Sequence, residues 1–190
     1  MWDYNQFLDE ILIGEEDLQA RIKQLGEQIS QDYEGRNLLL VCILRGGVMF
    51  LTDLMRSIHI PHAIEFMAVS SYGPGGRMSS GQVRITLDLN TEISNWDVIL
   101  VEDIIDSGHT IYNVLELLSI RKPHSLKICA LLDKTERREV PIPLDYLGFQ
   151  IPNKFVFGYG LDIDDYYRNL PFIGVVNLEK YQALQEKKHG

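Results

Sequence analysis

The sequence is poor in the features that mark disulfide-rich, metal-binding or membrane proteins. Its 190 residues include two cysteines, Cys42 and Cys129, each inside an apolar run and neither with a Cys or His nearby at metal-ligand spacing. We interpret both as small buried hydrophobic residues. No apolar run approaches the roughly 20 residues that span a bilayer, and the first residues lack the basic and apolar segments of a secretory signal. We therefore expect a cytoplasmic protein with no membrane partner.

Positive charge is also scarce. Lys and Arg total 18 against 27 Asp and Glu, which gives a formal net charge of −9. Proteins whose main partner is nucleic acid usually present a basic face, so we expect no nucleic-acid partner. An acidic chain can still bind phosphate groups if backbone amides, a few placed Arg or Lys residues or a divalent cation overcome the general negative field.

The apolar pattern predicts alternating helices and strands. Hydrophobic residues make up 45% of the chain and charged residues 24%, the balance of a folded globular protein. Apolar residues at three- and four-residue steps predict a helix over residues 15–33. Unbroken apolar runs at 38–44 and 98–101 are typical of strands buried on both faces of a sheet. The mainly apolar stretch 126–132 is predicted to be another strand. Further strands are predicted at 62–71, 83–89, 146–149, 155–159 and 173–176.

This alternation predicts an α/β fold, with a mostly parallel twisted sheet flanked by helices. We find no linker and no internal repeat, and we expect one domain over residues 1–190. The N-terminal segment, together with about 146–178, is expected to form a small hood or flap. The tail, 179–190, is expected to be frayed. The Gly- and Ser-rich stretch around 72–82 is predicted to be a mobile loop.

Unusual residue clusters follow three of the predicted strands. They are Arg45-Gly46-Gly47, residues 102–110 and Asp133-Lys134. Ligands of open α/β sheets bind outside the carboxyl ends of the strands. The three clusters are therefore expected to meet in one site.

The segment VILVEDIIDSGHT, residues 98–110, carries the chemistry. Its second half can turn successive backbone N–H groups toward an anion beside a helix N-terminus, and Gly108 permits a tight turn. A monoester phosphate fits such a cup, although Ser and Thr before a helix are also ordinary N-caps. Glu102, Asp103 and Asp106 follow the apolar strand directly, where burial is costly without partners. Ribose hydroxyls and a Mg²⁺ ion would supply those partners.

This segment resembles the phosphoribosyl pyrophosphate (PRPP) motif of the type I phosphoribosyltransferases, and the chain contains no Walker A pattern. From about residue 10 to 178 the sequence resembles one branch of them, the hypoxanthine or hypoxanthine-guanine phosphoribosyltransferases. The resemblance implies a purine-salvage enzyme with Mg²⁺ as its cofactor. Such an enzyme transfers the 5-phosphoribosyl group of PRPP to hypoxanthine or guanine and releases IMP or GMP and pyrophosphate.

The resemblance also implies roles for residues of this chain. Asp106 is the expected catalytic base for the purine imidazole proton. PRPP and its 5′-phosphate are expected on Glu102, Asp103, Asp106, Ser107, Gly108, His109 and Thr110. Pyrophosphate is expected on Arg45, Gly46, Gly47 and Arg168, and the peptide bond joining Leu44 to Arg45 is expected to be cis.

The remaining roles concern the base, the metal and a lid. The purine is expected on Lys134, Phe155, Val156 and Asp162. The metal is expected near Glu102, Asp103 and Asp162. Ser71 and Tyr72 resemble the start of a catalytic lid, formed by about 72–82, that closes over the site and excludes water.

Several alternatives stay open at this point. The base could be xanthine, uracil or adenine, although Lys134 and Phe155 favour a 6-oxopurine. A protein of this fold could instead bind PRPP to regulate transcription, or act as an interaction domain with no chemistry. The family forms dimers and tetramers, so a homo-oligomer is expected, but its size does not follow from the residues.

Overall fold

The computed structural model describes residues 3–71 and 83–189, and within these ranges it contains nine strands, four α-helices and two short 3-10 helices. The strands are β1 (Leu8–Ile13), β2 (Leu38–Leu44), β3 (His62–Ser71), β4 (Val83–Leu87), β5 (Asp97–Ile105), β6 (Ser125–Asp133), β7 (Tyr146–Gln150), β8 (Val156–Phe157) and β9 (Ile173–Val176). The helices are α1 (Glu15–Asp32), α2 (Val48–Ser57), α3 (His109–Ser119) and α4 (Leu178–His189).

Six of these strands form the central sheet, in the order β4-β3-β2-β5-β6-β7. All neighbouring pairs in it are parallel except β3 and β4, which are antiparallel. The two faces of β2 show how the sheet is covered. Leu38, Leu40 and Cys42 pack in one core with residues of α1 and α2, whereas Leu39 and Val41 pack in a second core with residues of α3. Burial on both faces explains why β2 is an unbroken apolar run.

The two cysteines fit this arrangement as hydrophobic residues. Cys42 and Cys129 are free thiols with no exposed surface, in the core beneath α1 and α2. Burial raises the pKa of the Cys42 thiol to about 12 and also raises that of Cys129. Both thiols are therefore protonated and unreactive at neutral pH.

Strand β5 is longer than its apolar pattern indicated. We predicted a strand over 98–101 with Glu102 and Asp103 directly after it, but β5 runs to Ile105. Its ladder with β2 ends at the pair Cys42 and Val101, whereas its ladder with β6 continues to Ile105. The acidic residues interrupt the hydrophobic run but not the backbone pairing, so the pattern alone underestimated the strand.

A second, antiparallel sheet of three strands forms the hood, in the order β1-β9-β8. Its core is aromatic: the rings of Phe7 and Phe157 lie 5.5 Å apart, and those of Phe7 and Tyr181 lie 5.3 Å apart. The hood boundary predicted at residue 146 is wrong, because β7 pairs with β6 in the central sheet. Within the C-terminal part, the hood segment therefore starts after Gln150.

Residues 179–189 of the tail that was predicted to be frayed are helical. Helix α4 begins after Asn177, whose side-chain oxygen accepts a hydrogen bond from the backbone N–H of Lys180 at 3.1 Å. This is an N-cap, the usual stabiliser of a helix start. Tyr181 and Leu184 then pack against the aromatic hood core. This packing buries apolar surface of α4 that the pattern of apolar residues in the tail did not predict.

The lid prediction concerns residues that mostly lie outside those described. Tyr72 and the stretch 72–82 are outside the described ranges, and Ser71 is described as the last residue of β3, paired with Val83 of β4. Of the helices within the described ranges, none has the length and apolarity that crossing a bilayer requires.

Candidate active site at the carboxyl ends of the central strands

Three neighbouring strands bring the predicted clusters together. Strands β2, β5 and β6 are adjacent and parallel, so the segments that follow them leave the same edge of the sheet. A hydrogen bond holds the ends of β5 and β6 together: the backbone N–H of Lys134 donates to the carbonyl oxygen of Ile105 at 2.9 Å. The clusters beginning at Arg45, Glu102 and Asp133 therefore border one site.

Residues 106–110 form what we call the amide cup. Gly108 has a φ of 91°, and α3 begins at the next residue, His109. The carbonyl oxygen of Ser107 accepts hydrogen bonds from the backbone N–H groups of Glu139 and Val140, at 2.9 and 3.4 Å. The first N–H groups of a helix have no acceptor within the helix. A cavity of about 130 Å³ lies beside them, lined by Glu102, Asp106, Ser107, Gly108 and Thr110 among others.

The side chain of His109 interacts with a residue outside the cup. Its Nε2 lies 2.9 Å from the Glu139 carboxylate. Residue 109 thus contributes the first helical backbone N–H to the cup, while its imidazole interacts with the segment that follows β6. This agrees with a site that depends on main-chain amides at this position.

Two buried carboxylates form the floor of the site. Burial and the neighbouring Asp103 raise the pKa of Glu102 well above its usual range, and Glu102 Oε2 has no hydrogen-bond partner. Burial raises the pKa of Asp103 to about 6, although Arg168 nearby works in the opposite direction. Asp103 lies against Gly46, because a Cβ added there would stand 1.6 Å from its Oδ2. A larger residue at position 46 would therefore displace the Asp103 carboxylate.

Asp106 lies between two basic side chains. Its Oδ2 is 3.3 Å from Lys134 Nζ, and its Oδ1 is 2.7 Å from Arg137 Nε. Lys134 is only 7% exposed, so it is a buried site residue and not a solvated charge. Arg137 was not foreseen. It lies one turn after Lys134 in a short 3-10 helix, Thr135–Arg137, and that local geometry was not visible in the sequence.

The second group of charged residues is what we call the arginine corner, formed by Arg45 to Gly47 and residues 160–168. The peptide bond joining Leu44 to Arg45 is cis, as the resemblance implies. Gly160 packs against the backbone of Gly46, since a Cβ on residue 160 would stand 2.1 Å from the Gly46 carbonyl oxygen. The loop between β8 and β9, which we call the hood loop, is therefore in contact with the loop after β2. Arg168 Nη1 donates to the Gly160 carbonyl oxygen at 2.7 Å.

Ion pairs within this corner involve two aspartates. Arg168 Nη2 lies 2.7 Å from Asp162 Oδ1, and the other oxygen of Asp162 accepts from the Asp165 backbone N–H at 2.8 Å. Asp165 Oδ1 lies 2.8 Å from Arg45 Nη2 and 3.3 Å from Arg168 Nη2. Sequence reasoning missed Asp165, because the turn that directs it depends on backbone angles that no composition rule predicts.

Phe155 and Val156 lie in the hood. Val156 is buried in β8, whereas the side chain of Phe155 is 48% exposed. The carbonyl oxygen of Phe155 accepts from the backbone N–H of Val176 at 2.8 Å, which anchors it to β9. Phe155 also lines a cleft of about 450 Å³ with Lys154 and residues 175–179. An exposed ring on a fixed backbone is suited to stacking on a flat ligand.

The acidic residues fit a metal ion that is shared with a ligand. Within residues 3–71 and 83–189, no group of three or more His, Cys, Asp or Glu side chains could hold a metal ion alone. Asp162, predicted beside Glu102 and Asp103, is engaged by Arg168 and by the Asp165 amide. The unpartnered oxygen of Glu102 nevertheless needs a cation or a donor. Mg²⁺ commonly binds through one or two carboxylates, with waters and substrate phosphates completing its shell.

A cup of amides, a floor of two carboxylates and a corner of arginines thus lie around the carboxyl ends of the central strands. The chain matches the family described as "Phosphoribosyl transferase domain" over residues 10–164, and it belongs to that family. Similar proteins narrow the resemblance to one branch of that family. The hypoxanthine phosphoribosyltransferase of Salmonella typhimurium is 48% identical over 171 residues, which cover 89% of this chain and 96% of the relative.

Other relatives give the same picture. The hypoxanthine-guanine phosphoribosyltransferase of Streptococcus thermophilus is 46% identical over 92% of this chain and 96% of its own length. A crystal structure of a Staphylococcus aureus hypoxanthine phosphoribosyltransferase has 46% identity and a TM-score of 0.89, covering 93% of this chain and 96% of that one. The predicted fold class and the family resemblance are confirmed.

Proposed function

We propose that this chain transfers the 5-phosphoribosyl group of PRPP to hypoxanthine, and also to guanine, releasing IMP or GMP and pyrophosphate. One observation carries the proposal: Lys134 Nζ and Asp106 Oδ2 meet at 3.3 Å at the edge of the amide cup. This contact supports the proposal, because in the proposed complex Lys134 would donate to a purine oxygen and Asp106 would accept a purine proton, beside the cup that would bind the 5′-phosphate. The names of the relatives agree with this chemistry.

The sugar phosphate is assigned to the cup and the floor. In the proposed complex, the backbone N–H groups and hydroxyls of residues 106–110 bind the 5′-phosphate, helped by the N-terminus of α3. Glu102 and Asp103 accept hydrogen bonds from the ribose hydroxyls. Ribose would satisfy Glu102 Oε2, which is buried and has no protein partner. Arg45, Arg168 and the amides of Gly46 and Gly47 bind pyrophosphate.

The proposed reaction is a displacement at C1 of the ribose. A purine nitrogen forms a bond to C1 while the bond from C1 to the pyrophosphate oxygen breaks, and the electron pair leaves with pyrophosphate. Positive charge develops on the sugar ring, and the nearby carboxylates of Glu102 and Asp103 stabilise it. Asp106 accepts the imidazole proton of the base. Arg137 and Lys134 hold the Asp106 carboxylate in position until the base arrives.

Mg²⁺ is the proposed cofactor. Glu102 and Asp103 are the residues that would hold it, together with oxygens of PRPP, and Asp162 would contribute through a water molecule. When bound, the ion neutralises charge on the pyrophosphate group. The buried, unpartnered Glu102 oxygen supports this assignment.

The base pocket is assigned to Lys134, Phe155 and Val156. Lys134 would donate a hydrogen bond to the 6-oxo group, which distinguishes 6-oxopurines from adenine, whose amino group is a donor there. Phe155 would stack on the base and the backbone of Val156 would contact its edge. The exposed ring of Phe155 supports the first role. Asp162 would border the pocket from the hood loop.

A direct assay tests the function. The purified chain is supplied with PRPP and MgCl₂ and with hypoxanthine, guanine, xanthine, adenine or uracil in turn, and nucleotide formation is followed by chromatography. We expect IMP from hypoxanthine and GMP from guanine, no product from adenine or uracil, and loss of activity with excess EDTA. Product only from adenine or uracil would overturn the base assignment. Binding of PRPP without product from any base would favour a regulatory protein.

We further propose that the chain forms a homo-oligomer, a dimer or a tetramer. A solved relative from Trypanosoma cruzi, with 41% identity and a TM-score of 0.89, was studied for the role of its C-terminal region in oligomeric state and activity. In this chain the C-terminal region is α4, which is packed on the hood. Light scattering after gel filtration tests the proposal, and a mass near 21.8 kDa would contradict it.

A further inference from the structure

A single carboxylate oxygen lies between the two arginines of the arginine corner. Asp165 Oδ1 is 2.8 Å from Arg45 Nη2 and 3.3 Å from Arg168 Nη2. Arg45 follows the central strand β2, whereas Arg168 and Asp165 belong to the hood loop. Guanidinium groups recognise carboxylate and phosphate oxygens by the same geometry. Relative to both arginines, Asp165 therefore stands where an oxygen of an anionic ligand would stand.

A tight turn directs this carboxylate. Asp164 and Asp165 have φ angles of 52° and 69°, and Ile163 and Tyr166 exchange backbone hydrogen bonds of 3.2 and 3.0 Å across them. Positive φ at both central residues is the property of a type I′ turn. The two carboxylates of the turn reach different partners. Asp164 Oδ2 accepts hydrogen bonds from Tyr181 and Gln185 of α4, at 2.6 and 3.0 Å.

The arginines differ in how much they depend on Asp165. Arg168 keeps two other contacts, with Asp162 Oδ1 and with the Gly160 carbonyl oxygen, each at 2.7 Å. The side chain of Arg45 is 70% exposed and follows the cis peptide bond on a short loop. Asp165 therefore orients Arg45 toward Arg168, so that both guanidinium groups face the same place.

A bound anion can easily replace Asp165 as the partner of Arg45. Both side chains are well exposed, at 61% and 70%. Exposed ion pairs contribute little to folding stability. An anion with several charges can therefore displace the Asp165 carboxylate from the arginines. When such an anion binds, however, the Asp165 carboxylate must leave the arginines and stay close to a ligand of its own charge. Its presence therefore weakens binding at the corner.

We propose that Asp165 is a positioning residue that competes with the pyrophosphate group for Arg45 and Arg168. Without ligand it holds the two guanidinium groups toward the corner, and when pyrophosphate leaves it pairs with them again. Product affinity is thereby kept low. The inference rests on the proposed function, in which these arginines bind pyrophosphate.

The test measures binding as well as turnover. Inorganic pyrophosphate with MgCl₂ is titrated calorimetrically into the full chain and into Asp165→Asn. Asn tolerates positive φ as well as Asp does, so the turn is retained. We expect the Kd for pyrophosphate to fall by about 1.5- to 5-fold, the range of one exposed ion pair. The KM for PRPP should fall in parallel while kcat does not rise.

The matched control is Asp164→Asn. It makes the same change of charge in the same turn, at a carboxylate whose partners are Tyr181 and Gln185. Its Kd for pyrophosphate should stay near that of the unmodified chain. Asp165→Glu keeps the charge and should restore most of the weak binding. Equal tightening in Asp165→Asn and Asp165→Glu would show an effect of the turn and not of charge, and would overturn the inference.

Arg45→Gln separates the inference from the function on which it rests. If Arg45→Gln weakens pyrophosphate binding but Asp165→Asn does not tighten it, competition by Asp165 is wrong and the proposed function stands. If Arg45→Gln and Arg168→Gln both bind pyrophosphate as well as the unmodified chain, the assignment of the corner fails and the inference fails with it. In the double variant Arg45→Gln with Asp165→Asn, most of the tightening should disappear.

Discussion

The amide cup and the arginine corner would bind opposite ends of one PRPP molecule, yet they are made of different groups. The cup consists of backbone N–H groups at the start of α3, with Gly108 in a left-handed conformation. The corner consists of two arginines already paired with Asp162 and Asp165. The cup belongs to the central sheet through β5, whereas half of the corner belongs to the hood.

This difference indicates two ways of binding phosphate in an acidic protein. Backbone amides are fixed by the fold and need no counter-ion, so the cup is ready before the ligand arrives. Arginine side chains in a chain of net charge −9 attract internal partners, so ligand binding at the corner is an exchange of partners. In the proposed complex, the site for the 5′-phosphate, which stays in the nucleotide product, would therefore be preformed, and the site for pyrophosphate would be exchangeable.

The largest effect is expected at Asp106, on the edge of the cup. Asp106→Asn removes the acceptor for the base proton but leaves the backbone of 106–110 unchanged. General-base catalysis typically contributes about 10²- to 10⁴-fold, so kcat should fall by roughly that factor while the KM for PRPP changes only a few-fold. Steady-state kinetics with varied PRPP test this. A large loss of PRPP affinity with little change in kcat would mean that the cup depends on this charge.

Lys134→Ala should act on the third part of the site, the base pocket. Losing a hydrogen bond from a buried charged donor is worth roughly 1.5–3 kcal/mol, or about 10- to 100-fold. We expect that factor in kcat/KM for hypoxanthine and only a small change in PRPP affinity. The matched control is Lys127→Ala in β6, the strand that ends just before Lys134, since Lys127 is at the far end of that strand beside Asp145. A loss confined to PRPP binding would contradict the assigned pocket.

Gly108→Ala should damage the cup and spare the corner. Gly108 has a φ of 91°, and an added Cβ would lie 3.0–3.1 Å from side-chain atoms of Arg138, Val140 and Ile142. Strain of about 1–3 kcal/mol at such a residue should raise the KM for PRPP by roughly 10-fold and leave the Kd for pyrophosphate unchanged.

Gly35→Ala is the matched control for the backbone. Gly35 has a φ of 74° with nothing within 4 Å of an added Cβ, so it carries the same kind of backbone strain without crowding and far from the site. Both variants should lose thermal stability, but only Gly108→Ala should lose PRPP affinity. Equal KM values in the two variants would contradict the role of the cup.

The sequence predicted the cup better than the corner, and the reason is physical. The cup is local: a buried strand, a glycine and a helix start follow one another within thirteen residues, so a linear pattern contains nearly all of it. The corner joins residues 45 and 165, and its geometry depends on the successive left-handed residues Asp164 and Asp165. Nothing in the pattern of residue types indicates where such a turn directs its side chains.

The same distinction holds for the fold. Strands β2, β3 and β9 were predicted to the residue, because apolar runs or local residue preferences specify them. Strand β1 was missed, since its alternation is irregular and its partner among the described strands is β9, far away in sequence. The end of β5 and the whole of α4 were misjudged, because tertiary pairing and packing on the hood outweigh their polar composition.

The remaining expected effect is one of stability, at Asp103 between the cup and the corner. Burial raises the folded-state pKa of Asp103 to about 6, above its ordinary value of 3.8. Below about pH 4 both the folded and the unfolded state carry the proton, and the fold suffers no penalty. As pH rises through 6 the folded state must ionise a buried group, so the contribution to stability is lost and stays lost at neutral pH.

Asp103→Asn should therefore raise the free energy of unfolding at pH 7.5 by roughly 1–3 kcal/mol, while making little difference at pH 4, and it should weaken PRPP binding. Urea denaturation at the two pH values measures the effect, with Asp164→Asn as the control for removing one acidic charge. A variant that is less stable than the unmodified chain at pH 7.5 would contradict the assignment. The expected gain in stability would mean that the buried acidic floor between cup and corner destabilises the free protein. In the proposed complex, the ribose and the ion that bind there supply the missing partners of these carboxylates.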